Sequence, residues 1–171
     1  AAEPFAWGVR VSNAGAGVSY RTAIESAQPR IVENQQGLAI GFEILGGYVS
    51  DQLHGKSLLL NFGDIASGQA KVGRWRMATS LSGRFMAFDA AYKHADSLGG
   101  VVTSLLSAVK THTLVHDVKV SLPGRDGIRD FLARDGDTLR VYESDNVDTL
   151  VTDRSEAATP LLSIALPLPL L

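Results

Sequence analysis

Residues 5–24 read FAWGVRVSNAGAGVSYRTAI, and this stretch decides the class of fold. Its first half alternates apolar with small or polar side chains, which is the period of a half-buried β-strand. The segment NAGAG at residues 13–17 then predicts a turn, because Asn and Gly tolerate positive φ angles. Alternation resumes over residues 18–24, so the stretch predicts two strands that pair as a hairpin.

Short alternating runs continue through the first half of the chain. They occupy residues 38–44, 58–62, 71–80 and 84–94, with polar or Gly-containing turns between them. Strands at this spacing are typical of an antiparallel sandwich or barrel. Since residues of one parity share one face of a strand, we predict a single core between two sheets. Its predicted members are Val9, Val11, Ile24, Phe42, Leu60, Phe62 and Trp75.

The pattern changes after the glycines at positions 99 and 100. Residues 101–109 fit either a short helix or a strand, and residues 127–133 predict one helical turn. Further strands are predicted over residues 111–121, 139–141 and 149–151. The chain is therefore predicted to be mainly β, with a sandwich over residues 1–96 and a smaller, mainly β extension over residues 97–171 packed on it.

Composition narrows the classes of partner. The 171 residues carry a net charge of −2, so there is no basic field to attract nucleic acid. The apolar segment at residues 161–171 is too short to span a bilayer and contains Pro167 and Pro169. Cysteine is absent, which excludes cysteine–zinc sites, thiol catalysis and disulfides.

Two histidines suggest a metal site. His112 and His116 are spaced like the zinc-binding histidines of a metalloprotease helix, but Thr113 stands where that motif requires Glu. On a strand, the two rings would share a face about 13 Å apart, at about 3.3 Å per residue. That separation is too large for one zinc ion. We therefore predict no metal ion and no cofactor.

Carboxylates are frequent late in the chain. They are Asp126, Asp130, Asp135, Asp137, Glu143, Asp145 and Asp148. Such groups can perform acid–base chemistry or bind calcium, but their spacing does not match an EF-hand loop, and solvated turns explain them more simply. Nucleophile-elbow and phosphate-loop motifs are missing too, so we assign no catalytic residue and predict that the chain is not an enzyme. A hydrolase that brings Asp130 close to Glu143 or His116 is the weaker alternative.

Aromatic residues provide a second alternative, a carbohydrate-binding module. Those that could line a sugar-binding face are Trp7, Tyr20, Trp75, Phe85, Phe88 and Tyr92. Most of them fall in alternating runs, which favours burial in the core. The exposure of Trp7 and Trp75 distinguishes the two possibilities. The residues of any binding site, and the ligand, stay unknown from sequence.

Two motifs resemble a known family. Residues 7–18, WGVRVSNAGAGV, and residues 60–69, LNFGDIASGQ, resemble the first hairpin and a later loop of bacterial adhesion-related immunoglobulin-like domains. The resemblance covers about half of the chain and leaves residues 98–171 outside it. It implies an immunoglobulin-like antiparallel β-sandwich, extracellular or on the cell surface, that acts as a non-catalytic structural or adhesive module. The start, AAEP at residues 1–4, fits a signal-cleavage product or a shortened chain.

The end of the chain predicts an interaction. Residues 160–171 read PLLSIALPLPLL and contain no charge. A free tail of this composition promotes aggregation, so we expect it to be tied down. It can close an edge of its own sheet or add as a strand to a neighbouring domain or protomer. We favour the neighbour, which implies self-assembly.

Overall fold

The computed structural model describes residues 4–26, 30–31, 41–80, 85–87, 90–95, 101–102 and 106–157. Within these residues the chain is mainly β, as predicted, and a 3₁₀ turn at Ser155–Ala157 is the one helical element. The strands are β1 (Pro4–Ser12), β2 (Ser19–Ser26), β3 (Arg30–Ile31), β4 (Phe42–Val49), β5 (Gln52–Leu53), β6 (Leu59–Ile65), β7 (Ala70–Thr79), β8 (Phe85–Ala87), β9 (Ala90–Ala95), β10 (Val101–Val102), β11 (Thr113–Lys119), β12 (Arg129–Asp135), β13 (Thr138–Tyr142) and β14 (Asp148–Val151).

The strands form three four-stranded antiparallel sheets and one two-stranded pair. The central sheet has the order β1-β7-β4-β5, and the outer sheet has the order β10-β9-β2-β6. The C-terminal sheet is a meander, β11-β12-β13-β14, in which each strand pairs with the next along the chain. Strands β3 and β8 form the separate pair.

The predicted first hairpin is wrong. β1 pairs with β7, whereas β2 pairs with β6 and β9 in the other sheet. The intervening loop crosses between the sheets, and the Asn13 side-chain amide there donates hydrogen bonds to the carbonyls of Gly17 and Ile65. Both strands alternate because each buries one face in the same core, and alternation does not determine which strand is the partner.

A single core joins the central and outer sheets. Its buried members are Ile24, Val49, Leu60, Phe62, Ile65, Trp75 and Met77. Trp75 is 0% exposed, and its indole N–H donates to the carbonyl of Leu58 at 3.0 Å. The two sheets therefore pack face to face, consistent with a β-sandwich.

The predicted core set is largely confirmed. Four of its residues belong to the buried cluster, namely Ile24, Leu60, Phe62 and Trp75. Val9 and Val11 are half-buried and pack against that cluster. Phe42 is half-buried and outside the described cluster, because it lies at the end of the central sheet opposite Thr79.

The C-terminal sheet covers the second face of the central sheet. A Cβ atom on Gly8 in β1 would lie 2.5 Å from Cε1 of Phe131 in β12, so the ring occupies the space that a side chain would need. Val72 and Arg74 of β7 point to the same face as Gly8 and are only 2% and 4% exposed. β7 is therefore buried on this face at Val72 and Arg74, whereas Gly8 and Arg76 on the same face are exposed.

Two further expectations concern the second half of the chain. The helical turn predicted over residues 127–133 is wrong, because β12 pairs with β11 on one side and with β13 on the other. Residues 101–102 form a strand and residues 106–110 have no regular structure, so the helix considered for residues 101–109 is not found in the described part. The division of the chain at residue 96 stays a prediction.

Truncation of the core tryptophan should destabilise the protein strongly. We expect Trp75→Ala to lower the free energy of unfolding by ~3–5 kcal/mol, because it leaves a cavity between the sheets. Leu53→Ala is the control, since Leu53 is 63% exposed, and it should change stability by less than about 0.5 kcal/mol. Urea unfolding measures both variants. Equal losses in the two would contradict the proposed core.

Gly8 and Phe131 should be energetically coupled. Gly8→Ala should cost ~1–3 kcal/mol because the new methyl group displaces the Phe131 ring. In a Phe131→Ala background that cost should largely disappear, giving a coupling energy of ~0.5–3 kcal/mol in a double-mutant cycle. Gly17→Ala is the matched control, because a Cβ there meets nothing within 4 Å. An unchanged cost of Gly8→Ala in both backgrounds would refute this packing.

Candidate functional site

A buried charge network joins the central and C-terminal sheets. The Arg74 side chain donates from Nη2 to Asp51 Oδ1 at 2.7 Å, and its Nη1 lies 3.7 Å from Asp117 Oδ2. The other oxygen of Asp51 accepts the backbone N–H of Arg129 at 3.1 Å. Asp51 lies in the turn between β4 and β5, where it adopts a positive φ of 66°. One carboxylate therefore links β7 to β12.

A second set of contacts joins the C-terminal end of β1 to the turn between β13 and β14. Arg10 contacts Asp148 Oδ1 at 2.5 Å and donates to the backbone carbonyl of Glu143 at 3.3 Å. The amide of Asn146 donates to the carbonyl of Gly68 at 3.2 Å. These contacts fix the turn between β13 and β14 against the central sheet.

The late carboxylates differ in their exposure to solvent. Asp126 and Asp137 are exposed, as solvated turns predict, whereas Asp130 and Glu143 are only 2% and 1% exposed. Glu143 lies 2.7 Å from Arg125 Nε and accepts a hydrogen bond from the Thr149 hydroxyl. The explanation by solvated turns is therefore wrong for the two buried carboxylates, which contact groups of Ser144, Arg125 and Thr149.

Asp130 is buried beside other acidic groups. Its Oδ1 accepts the backbone N–H of Ser144 at 2.8 Å and the Ser144 hydroxyl at 3.2 Å. Burial raises the pKa of the Asp130 carboxyl, and the nearby charges of Asp126 and Glu143 raise it further, although the two hydrogen bonds from Ser144 act in the opposite direction. The charged form of Asp130 is therefore less favoured in the folded protein than in the unfolded chain.

The structure thus brings Asp130 and Glu143 into one cluster, as the hydrolase alternative requires. Hydrolysis by two carboxylates needs a substrate between them. Both groups are instead enclosed by their own chain and contact its side chains. His116 is exposed on β11 and makes no described contact with either of them. This arrangement favours a structural role for the pair.

The two predicted histidines do not share a face. A bulge between Leu114 and His116 places Leu114 opposite Ala133 and His116 opposite Leu132, which point to opposite sides of the sheet. The His112 ring stacks on Tyr142 with centroids 4.6 Å apart. The expectation of a shared face is therefore wrong, because a regular strand was assumed. Among the described residues, no group of three His, Asp or Glu side chains could hold a metal ion.

The aromatic residues contribute mainly to the core. Trp75 is fully buried, and Trp7 and Tyr92 are half-buried against the core cluster. The side chains of Phe85 and Phe88 lie outside the described residues. Trp7 and Trp75 therefore do not form an exposed platform for a sugar.

Sequence reasoning missed a cleft between the central and C-terminal sheets. This interlayer cleft has a volume of about 630 Å³ and is lined by Pro4, Phe5, Ala6, Arg76, Leu114, Val115, His116, Asp117 and Arg129. Arg76 and Arg129 are both exposed, and within the described residues neither guanidinium has an ion-pair partner. The alternation of Arg74 and Arg76 with Trp75 and Met77 was the available signal, but it does not show that a second sheet covers the arginines.

Comparison with known proteins finds no matching family model, no similar curated protein and no similar solved structure. None of the described segments forms a helix long and apolar enough to cross a membrane.

The raised pKa of Asp130 leads to a pH-dependent prediction. The folded protein keeps this proton to a higher pH than the unfolded chain, whose carboxyl has the ordinary pKa of 3.8. The stability that protonated Asp130 contributes is therefore lost as pH rises through the folded-state pKa. Asp130→Asn keeps an acceptor for Ser144 and removes the charge. The stability of this variant relative to wild type should increase from about pH 3.5 to about pH 7.

Urea unfolding at both pH values measures this difference. Asp130→Ala is the control, because it leaves the Ser144 N–H without an acceptor and should cost ~1–3 kcal/mol. If the stability difference between Asp130→Asn and wild type is the same at both pH values, the folded-state pKa is not raised.

Proposed function

We propose that the chain is a non-catalytic structural or adhesive module of the cell surface or extracellular space, built on an immunoglobulin-like sandwich. The proposal that the chain is not catalytic rests on one observation. The groups best suited to chemistry, Asp130 and Glu143, are almost fully buried and bound by Ser144, Arg125 and Thr149. The resemblance of residues 7–18 and 60–69 to adhesion-related domains supports the extracellular location.

The packing of the sheets supports the proposed fold family. Two four-stranded antiparallel sheets face each other around a buried tryptophan, as in sandwiches of the immunoglobulin type. The C-terminal sheet is an addition to such a sandwich, because it covers the central sheet from the opposite side. Surface modules of this kind act through their edges and loops, since their sheet faces are used in packing.

The proposed partner is a neighbouring domain or a second copy of the chain. Within the described residues, β14 pairs only with β13, and its Leu150 is 63% exposed. An unpaired strand edge with apolar side chains is a template for strand addition. The predicted role of residues 160–171 in such docking falls outside the described residues and stays a proposal.

A glycan-binding module remains the alternative function. The burial of Trp75 and the packing of Trp7 against the core make an aromatic sugar platform at these two positions less favourable. A glycan would have to use other groups.

Self-assembly is tested by light scattering coupled to size exclusion over a range of protein concentrations. We expect wild type to populate dimers or larger species as concentration rises, and Leu150→Lys to remain monomeric, because charge on an edge strand opposes strand addition. Leu122→Lys is the matched control, since Leu122 is 54% exposed and lies in a turn outside the described strands. A monomeric wild type at all concentrations would contradict self-assembly, as would equal effects of the two substitutions.

A further inference from the structure

The interlayer cleft has an unbalanced charge. Arg76 projects from β7 on the face covered by the C-terminal sheet, and Arg129 begins β12 on the opposite wall. Each guanidinium is exposed, and within the described residues neither contacts a carboxylate. Two cations that share a cleft without a counter-ion repel each other, and an anion placed between them relieves that repulsion.

The nearby carboxylates are already engaged. Asp51 contacts Arg74 at 2.7 Å and Lys119 at 3.9 Å. Asp117 lines the cleft, and its Oδ2 lies 3.7 Å from Arg74, so its charge is compensated by that buried guanidinium. The positive charge of the two arginines is therefore available to a ligand.

An apolar wall lies beside the arginines. Ala6 shares the face of Arg76 on the central sheet, and Leu114 and Val115 line the cleft from the C-terminal sheet. A volume of about 630 Å³ is ample for a small organic molecule. A guanidinium matches the geometry of a carboxylate, since its N–H groups can donate two parallel hydrogen bonds.

We propose that the interlayer cleft binds a small organic carboxylate, with the acid group between Arg76 and Arg129 and the apolar part against Ala6, Leu114 and Val115. This site goes beyond the proposed structural role and uses no residue of the β14 edge. The ligand bridges the two sheets, so its binding should also stabilise their contact.

The test is a titration of ¹⁵N-labelled full chain with benzoate, followed by amide chemical shifts. Benzamide, a neutral molecule of the same shape, and inorganic phosphate, an anion without an apolar part, are the ligand controls. We expect saturable binding of benzoate with shifts at Ala6, Leu114 and Val115. Binding should be at least about tenfold tighter than that of either control ligand, because the carboxylate and the ring both contribute.

Two variants locate the acid group. Arg76→Gln and Arg129→Gln should each weaken benzoate binding about tenfold, which corresponds to the loss of a charge-assisted hydrogen bond. Neither guanidinium has a described partner, so both variants should fold, and their amide spectra verify this. Lys93→Gln is the matched control, because Lys93 is exposed on β9 in the outer sheet, and it should leave binding unchanged.

Three results would overturn the proposal. The first is absence of saturable benzoate binding up to about 10 mM, a concentration above the dissociation constant of even a weak millimolar ligand. The second is phosphate or benzamide binding as tightly as benzoate, which would remove the stated ligand class. The third is benzoate binding that both arginine variants leave intact. None of these results depends on oligomeric state, so failure here is distinguishable from failure of the proposed assembly.

Discussion

The contact between Gly8 and the ring of Phe131 is the constraint on which the arrangement of layers depends. A β-strand normally carries side chains on both faces, and these hold a neighbouring sheet about 10 Å away. The missing side chain at Gly8 lets the ring of Phe131 approach the backbone of β1. The C-terminal sheet can then cover the central sheet, and β7 becomes buried on both faces, from Trp75 on one side to Arg74 on the other.

Burial of Arg74 has consequences for the charges around it. A guanidinium removed from water is costly unless carboxylates compensate it, and Asp51 and Asp117 do so. Such a pair adds little net stability compared with apolar packing, but breaking it leaves an uncompensated charge. The network therefore specifies how the C-terminal sheet sits on the central sheet. Because it engages Asp51 and Asp117, the guanidinium groups of Arg76 and Arg129 have no ion-pair partner within the described part of the chain.

Local patterns predicted the strands, whereas long-range pairing was not predictable from them. Alternation over residues 5–11 and 18–24 correctly indicated two strands, because a period of two reports one buried face. It did not reveal that these strands lie in opposite sheets, since both bury that face in the same core. The segment at residues 127–133 was misassigned because Phe131 and Leu132 are adjacent apolar residues, which obscures alternation. The bulge before His116 likewise has no sequence signature, and it moved that ring to the other face.

The candidate site was less predictable than the fold for a related reason. Arg76 alternates with Trp75 and Met77, so its parity correctly placed it away from the core. Parity cannot distinguish a solvent-exposed face from one covered by a second sheet, and Arg129 belongs to a distant part of the chain. The cleft exists only because the C-terminal sheet lies on the central sheet, with the ring of Phe131 against Gly8. The contacts that attach this layer at Gly8, Arg10 and Arg74 do not extend to Arg76, and the gap is open there. The guanidinium groups of Arg76 and Arg129 border that gap because the layers are joined elsewhere.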